Sequence, residues 1–440
     1  MDDYKEFLKG KKITLMGLGL LGRGVGDAKF LAELGAELIV TDLKDAEALA
    51  DSLSVLKGFK NITYRLGGHD LADFKDRNFI LKAAGVPLNS PYIAEAHKNW
   101  IPVKMSSSWF AEISRVPVVG ITGTRGKSTV THLLDAIMRA AGMEVLLGGN
   151  VRGISTLSLL PEVKKNTIAL MELDSWQCQG FGESKMSPTL AVFTTFMPDH
   201  LNYYPNLNRY LEDKAQIFLS QTPEDTLVVS TQALPFIKDR YAHEIKSHVV
   251  VADPGKFPRG WETHLLGVHN LLNIMCAVEA ARVLGIDENI IESCVAEFKA
   301  VPGRLQLLRD VHGVKIYNDN NSTTPEATLA ALHAIPGSRA IIIMGGADKG
   351  SDLRELVTLL PPYAKKLILL AGDGTQRLQT MGSVFANAPV YERLEDAVRD
   401  AMGAAEDGDL VLFSPGFASF GMFTNEFDRG DQFVELVKKL

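Results

Sequence analysis

Apolar, β-branched runs separated by longer amphipathic stretches recur from one end of this chain to the other, and that alternation restricts the fold more than any other feature. Strands apolar on both faces belong in parallel sheets, because a parallel connection needs a crossover and the crossover helix comes to lie on the sheet. The class is therefore α/β. At 440 residues the chain exceeds the size at which one core stops growing, roughly 250 to 300 residues, so more than one domain is expected. The first unit reads as a strand at 13–16, a glycine turn from Gly17 to Gly22, a helix to about Leu34, a strand at 37–40 and a further apolar run at 78–81. A second starts with a strand at 117–121, a loop, and a helix beginning near Lys127. It continues with strands at 167–172, 190–195, 226–230 and 248–252 and helices at 268–284 and 288–298. Pro302-Gly303 reads as a linker. Strands at 314–317, 340–344, 366–371 and 410–413 make a third unit. The expectation is three successive α/β domains, at 1–112, 113–302 and 303–440.

With 46% hydrophobic and 22% charged residues the composition is globular, and the formal charge of -7 supplies no general attraction for a nucleic-acid backbone. Anionic ligands must then be held by local sites. No apolar run approaches the roughly 20 residues that span a bilayer, and the acidic start lacks a signal-peptide pattern. Cys178, Cys276 and Cys294 are scattered without metal-ligand spacing, which suits reduced thiols in a cytoplasmic protein.

The strongest motif is Gly123-Thr124-Arg125-Gly126-Lys127-Ser128-Thr129, between a strand and a helix. Glycines let backbone N–H groups turn toward phosphate oxygens, and the helix start favours their charge. Lys127 reaches the terminal phosphates, and Ser128 or Thr129 ligates magnesium. A general P-loop wants glycine at 121, where this chain has Ile121, so this is the shorter form of the loop. The second motif, Gly17-Leu18-Gly19-Leu20-Leu21-Gly22 with Asp42 at the end of the next strand, is a dinucleotide fingerprint. It leaves three readings open: a nucleotide-sugar diphosphate, a nicotinamide or flavin cofactor, or tight helix packing. Glu172 and Asp199-His200 fall at strand ends, where magnesium beside a triphosphate is held. Lys214 alone reads as a solvated helix lysine.

Gly123 to Thr129, then Gly149-Asn150, Glu172, Asp199-His200, Lys214, His269-Asn270 with Asn273, Arg304, Asp319 and Ser414-Pro415 occur in the order and spacing of the Mur ligases, which the whole chain resembles. The resemblance implies an N-terminal Rossmann-like UDP-binding domain, a central P-loop-type ATPase domain with a mostly parallel sheet, and a C-terminal Rossmann-like domain that takes the amino acid. It implies an ATP-dependent ligase of peptidoglycan precursor synthesis, similar to the branch that adds glutamate to UDP-N-acetylmuramoyl-L-alanine through an acyl phosphate. Gly123, Thr124, Arg125, Gly126, Lys127, Ser128 and Thr129 would hold ATP, with Asn270 at the adenine and Arg304 and Asp319 facing the nucleotide. Two Mg2+ ions are implied, with Ser128, Thr129, Glu172 and His200 as ligands. Lys127, Lys214, His200 and Glu172 would be the catalytic set, with Lys214 carbamylated. Gly19, Leu20, Leu21, Asp42, Asn150 and Gln177 would bind the UDP substrate, and Thr323, Lys349 and Ser419 the amino acid. Partners are small molecules only, with no nucleic acid and no membrane, acting on a cytoplasmic monomer.

Three stretches depart from the family pattern. Asn321 stands where a lysine is usual, Asp174 where a serine is usual, and Ser419-Phe420-Gly421 leads to Asn425-Glu426 where an aspartate and an aromatic are expected. D-glutamate is favoured as the acceptor, with L-glutamate as the alternative. A folylpolyglutamate-synthase-like ligase would not need the motif at 17–42, and an NAD-dependent oxidoreductase would leave Lys127 and Lys214 without a task.

Overall fold

A computed structural model describes residues 3–20, 22–200, 203–335 and 339–440. Strands β1 (Lys12–Met16), β2 (Glu37–Asp42), β3 (Ile62–Leu66), β4 (Phe79–Lys82) and β5 (Val103–Lys104) form a five-stranded sheet in the order β3-β2-β1-β4-β5. All its pairings are parallel. Strands β6 (Val118–Thr122), β7 (Val145–Gly149), β8 (Ile168–Glu172), β9 (Leu190–Phe193), β10 (Thr226–Ser230) and β11 (His248–Ala252) form a second parallel sheet, ordered β11-β10-β9-β6-β8-β7. In both sheets the chain reverses its direction of winding beside the first strand, which puts ligand crevices at the carboxyl ends of β1 and β6. Every residue of β6 and β9 is buried, as expected of central strands covered on both faces.

The third sheet runs β12-β13-β17-β14-β15-β16, with β12 (Gln306–Val311), β13 (Val314–Asn318), β14 (Ala340–Gly345), β15 (Ala364–Leu370), β16 (Val390–Tyr391) and β17 (Leu410–Phe413). Here β12 pairs antiparallel with β13 at the edge, while the other pairings are parallel. By compactness the chain forms two units. One comprises 1–259 with 272–294 and carries the first two sheets; the other comprises 260–271 with 295–440 and carries the third. The strands expected from the sequence are present, with ends shifted by one or two residues. Five further strands were not anticipated: β3 and β12, with alternating or mixed burial; β7, which ends in two glycines; and the two-residue edges β5 and β16.

Four helices of the first unit carry or flank the candidate site residues: α1 (Arg23–Glu33), α2 (Lys127–Ala140), α3 (Ser175–Glu183) and α4 (Leu207–Ala215). Gly22 and Gly126 precede α1 and α2 in the left-handed backbone region, at φ 81° and 89°, a conformation an L-side chain enters only at a cost.

Candidate active site

The loop after β6 is fixed by its neighbours. Gly123 has φ 144°, and a Cβ there would lie 2.0 Å from Thr194 Oγ1 and 2.8 Å from the Thr195 nitrogen. Thr195 Oγ1 accepts the Arg125 N–H at 2.9 Å, and the Thr124 N–H donates to the Thr195 carbonyl at 2.7 Å. A Cβ on Gly126 would meet Asn273 Oδ1 at 2.1 Å. The two glycines are thus required by close approach as well as by backbone angle. Lys127, the first residue of α2, donates from Nζ to the carbonyls of Gly123 (2.9 Å) and Thr124 (3.2 Å), so its ammonium lies across the loop. Ser128 is half-buried and Thr129 buried in the same first turn.

Lys214 lies in helix α4 (Leu207–Ala215) and is 1% exposed. Its Nζ donates to the Gly123 carbonyl at 2.8 Å and lies 4.9 Å from the centre of the Tyr210 ring. Burial holds its pKa below the ordinary lysine value against Cys178, Asp174, Asp199 and Asp213, which pull the other way. The solvated lysine expected from the helix alone is therefore overturned. A desolvated amine against the phosphate loop is also a better nucleophile than a solvated ammonium. Cys178 Sγ approaches Thr122 Oγ1 at 3.6 Å, and burial pushes its thiol up to about 12, so it is an inert core group.

Asp199 faces Arg125, with Nη1 to Oδ2 at 3.5 Å. Burial pushes its carboxyl up, but Arg125, His200 and Lys127 more than offset this and keep it below the usual range. His200 has φ 53° and packs on Trp176 at 4.9 Å between ring centres. Burial lowers its pKa despite Asp199, which leaves a neutral imidazole able to ligate. Glu172, 5% exposed, ends β8 beside Ile121, and its carbonyl accepts the Asn150 N–H at 2.6 Å. Among the described residues no three His, Cys, Asp or Glu side chains converge as a ready metal site. A carboxylate, an imidazole and hydroxyls still fit Mg2+, which keeps several waters and takes one or two protein carboxylates beside substrate phosphates.

At the carboxyl end of β1, Asp42 accepts the Gly19 N–H at 3.0 Å through Oδ2 and the Lys44 N–H at 2.9 Å through Oδ1. Part of the fingerprint acid's task is therefore to hold the turn. Leu20 is exposed, and Leu21 lies outside the described residues. Asn150 Oδ1 accepts from Arg23 Nη1. Gln177 is committed to structure: with Asp174 it forms the capping box of α3, and its Nε2 donates to Ser107 Oγ at 3.1 Å. The substitution at Asp174 is thereby explained locally, as an N-cap. Lys82, 3% exposed at the end of β4, donates to the Val86 carbonyl at 3.0 Å. Burial lowers its pKa to about 8 although Asp174, Asp213 and Glu183 favour its charge.

In the second unit Asn270 Nδ2 donates to the Leu266 carbonyl at 2.7 Å. Asp319 accepts from Leu305 N (3.0 Å), Ser322 Oγ and Ser414 Oγ (2.8 Å), and burial raises its carboxyl to about 6 despite these donors and Arg304. Arg304 is half-buried one residue before Leu305, a non-glycine at φ 47°. Lys349 Nζ approaches Thr323 Oγ1 at 3.4 Å, which brings two of the three expected amino-acid contacts together, and Ser419 is buried in the next loop segment after β17. Asn321 donates from Nδ2 to the Pro302 carbonyl at 3.2 Å, so the residue replacing the family lysine ties back to the linker.

Sequence reasoning missed Arg23, Asp27, Lys82, the loop-bracing Thr194 and Thr195, and the fully buried Arg429. None belongs to a motif, and each is identified by what it touches.

This arrangement defines a nucleotide-dependent ligase class, and the chain belongs to the Mur ligase family. Residues 121–253 match the Mur ligase middle domain and residues 303–417 the Mur ligase, glutamate ligase domain. A UDP-N-acetylmuramoylalanine–D-glutamate ligase of Roseiflexus sp. is 35% identical over 98% of this chain and 99% of its own length. Similarly named ligases of Streptococcus pneumoniae and Borreliella burgdorferi are 33% and 32% identical over 98% of this chain. Among solved structures, a UDP-N-acetylmuramate–alanine ligase from Thermotoga maritima matches 98% of this chain and 99% of its own, with a TM-score of 0.63 at 17% identity. That likeness establishes the fold.

Proposed function

We propose that this chain is an ATP-dependent amide ligase that joins glutamate to the carboxylate of UDP-N-acetylmuramoyl-L-alanine. The observation that carries the reading is Lys214, a buried amine hydrogen-bonded to Gly123 of the phosphate loop, with Arg125 of that loop facing Asp199 from the segment after β9. Full-length relatives named for D-glutamate addition favour that acceptor. A second reading, L-glutamate, rests on Asn321, a neutral amide where the family has a cation.

A carboxylate resists amines because it is already anionic, so it must first be converted to a mixed anhydride. Residues 123–129 cradle the triphosphate through backbone N–H groups, and Lys127 swings from its loop carbonyls to the terminal phosphate, offsetting charge as the γ-phosphoryl passes to the substrate. Mg2+ when bound, two ions in this reading, neutralises phosphate charge; Ser128, Thr129, Glu172 and His200 would hold it. Lys214, whose burial favours the neutral amine over the ammonium, adds as the amine to CO2 to give a carbamate and one proton. A cation beside the site thereby becomes an anion of metal-ligand type. The amine of glutamate attacks the acyl phosphate, and the tetrahedral adduct expels phosphate. Thr323, Lys349 and Ser419 would receive the acceptor, Asn270, Arg304 and Asp319 the nucleotide, and Gly19, Leu20, Asp42, Asn150 and Gln177 the UDP substrate. The domains at 1–112, 113–302 and 303–440 divide these tasks in a cytoplasmic monomer. Among the described residues no helix is long and apolar enough to cross a membrane.

Phosphate release from ATP is the test, with UDP-N-acetylmuramoyl-L-alanine plus D-glutamate set against the same mixture with L-glutamate. Release that needs both the UDP substrate and one glutamate enantiomer supports the reading and fixes the acceptor. No release with either enantiomer removes it.

A further inference from the structure

Helix α1, which follows the glycine turn of the first sheet, is sewn to the segment after β7. A Cβ on Gly26 would lie 2.6 Å from Ser155 Cβ, and one on Gly22 would lie 3.7 Å from Gly153 Cα, so the helix rides directly on residues 153–155. One turn beyond Arg23, Asp27 Oδ1 accepts from Ser155 Oγ at 2.6 Å and from Ser106 Oγ at 2.7 Å. Arg23 itself, the first residue of the helix, crosses to Asn150 through Nη1. The same Asn150 is anchored from its backbone to Glu172.

Arg23 spends one donor of its five on a neutral amide oxygen. Among the described residues no carboxylate lies within ion-pair distance of it. Asp27, one turn on, feels the Arg23 charge but is hydrogen-bonded to Ser155 and Ser106, so this guanidinium, half-buried at the start of a helix whose first N–H groups have no side-chain cap, keeps donors for an anion. The anion expected at the Gly17 to Gly22 turn is a diphosphate, and a guanidinium fork is the side chain best matched to phosphate oxygens.

We propose that Arg23 is a two-handed positioning residue, gripping the diphosphate of the UDP handle with its outer N–H groups while its inner Nη1 fixes Asn150. This rests on the ligase reading above, and sets the distance between the nucleotide end of the substrate and its reacting carboxylate. Because Nη1 donates to Asn150 Oδ1, that oxygen is committed to α1, and the Nδ2 donors are the part of the Asn150 amide left for the muramoyl-linked end. Gly22, Gly26, Asp27, Ser106 and Ser155 hold the helix at the distance that lets one arginine do both.

The direct experiment is calorimetric titration of UDP into the wild-type chain, Arg23→Ala and Arg23→Lys, with kcat and KM for each substrate measured by phosphate release. Loss of a charge-assisted contact corresponds to about 10- to 100-fold weaker UDP binding in Arg23→Ala. Arg23→Lys should recover part of this, since it restores the charge but not the fork. KM for the UDP substrate rises with UDP's dissociation constant while KM for ATP stays unchanged, which a merely structural defect would not produce. Combining Arg23→Ala with Asn150→Ala should cost less in kcat/KM than the two separate losses together. Equal UDP affinity in wild type and Arg23→Ala overturns the phosphate contact, and additive losses overturn the grip on Asn150. If the wild-type chain fails to bind UDP at all, the ligase reading falls first and takes this proposal with it.

Discussion

Replacing Gly123 with alanine puts a methyl group into the most crowded point of the phosphate loop. The backbone there has φ 144°, a region open essentially to glycine, which costs about 1 to 3 kcal/mol for any other residue. The new Cβ would lie 2.0 Å from Thr194 Oγ1 and 3.0 Å from the Thr195 carbonyl oxygen. Relief requires the Thr194 hydroxyl to move, and it lies 2.6 Å from the Arg125 carbonyl and 3.1 Å from that of Thr122. Losing the better of these contacts adds about 1 kcal/mol. The sum, about 2 to 4 kcal/mol, is a large share of the stability of an ordinary domain. Urea unfolding followed by fluorescence, with ATP affinity measured on the same samples, should show a lower midpoint and weakened nucleotide binding together. Thr194→Ala removes the hydroxyl in the way, so the double variant should be destabilised by less than the sum of the singles. Wild-type midpoint and ATP affinity in Gly123→Ala, or strictly additive effects with Thr194→Ala, would refute the argument that this loop is held open from β9.

Lys214→Ala should lose most phosphate release while keeping its fold, and a high concentration of a short carboxylic acid should restore part of it; full activity without rescue counts against the carbamate. Asp27 is raised from 3.8 to about 6 by burial, partly offset by Ser155, Ser106 and Arg23, so the folded state holds its proton more tightly than the unfolded chain does. Its contribution is fully present below pH 4 and is lost as pH rises through 6, a loss on the order of 2 to 3 kcal/mol. Asp27→Asn, whose Oδ1 can still accept from both serines, should flatten that part of the stability profile; an unchanged pH slope would show that Asp27 titrates normally. Arg429 is fully buried in helix α5 (Glu426–Lys438) and donates to Asn320 Oδ1 (2.8 Å), the Asn320 carbonyl (3.0 Å) and the Phe417 carbonyl (3.0 Å). Arg429→Met leaves those acceptors unsatisfied and should lower the thermal midpoint of the second unit by several degrees, on the order of 2 to 4 kcal/mol. An unchanged midpoint would mean that water replaces the guanidinium.

Where a residue acts through local sequence, the chain could be read. Gly123, Gly126 and Lys127 declare their geometry by their spacing between an apolar strand and an amphipathic helix, and the central strands β6, β9 and β14 announce themselves as unbroken apolar runs. Lys214 could not be read this way: the helix periodicity describes the backbone but not Tyr210, Cys178 and Gly123 closing over the amine. The family resemblance supplied what periodicity lacked. Asp27 with Ser106 and Ser155 joins residues 79 and 128 positions apart, and no window along the sequence contains both ends. Edge strand β12 escaped because its burial is mixed and its partner runs antiparallel beside a parallel sheet.

The compact unit that carries the phosphate loop is not a continuous stretch of chain, because residues 272–294 belong to it although 260–271 do not. Asn273, whose side chain lies against Gly126, comes from that returning piece. During synthesis, then, the loop waits for its last wall until well over half of the polypeptide has been made. A fragment cut at 259 would contain every residue of the motif yet lack one side of its container, so a nucleotide-binding fragment of this protein should be sought by ending it after 294.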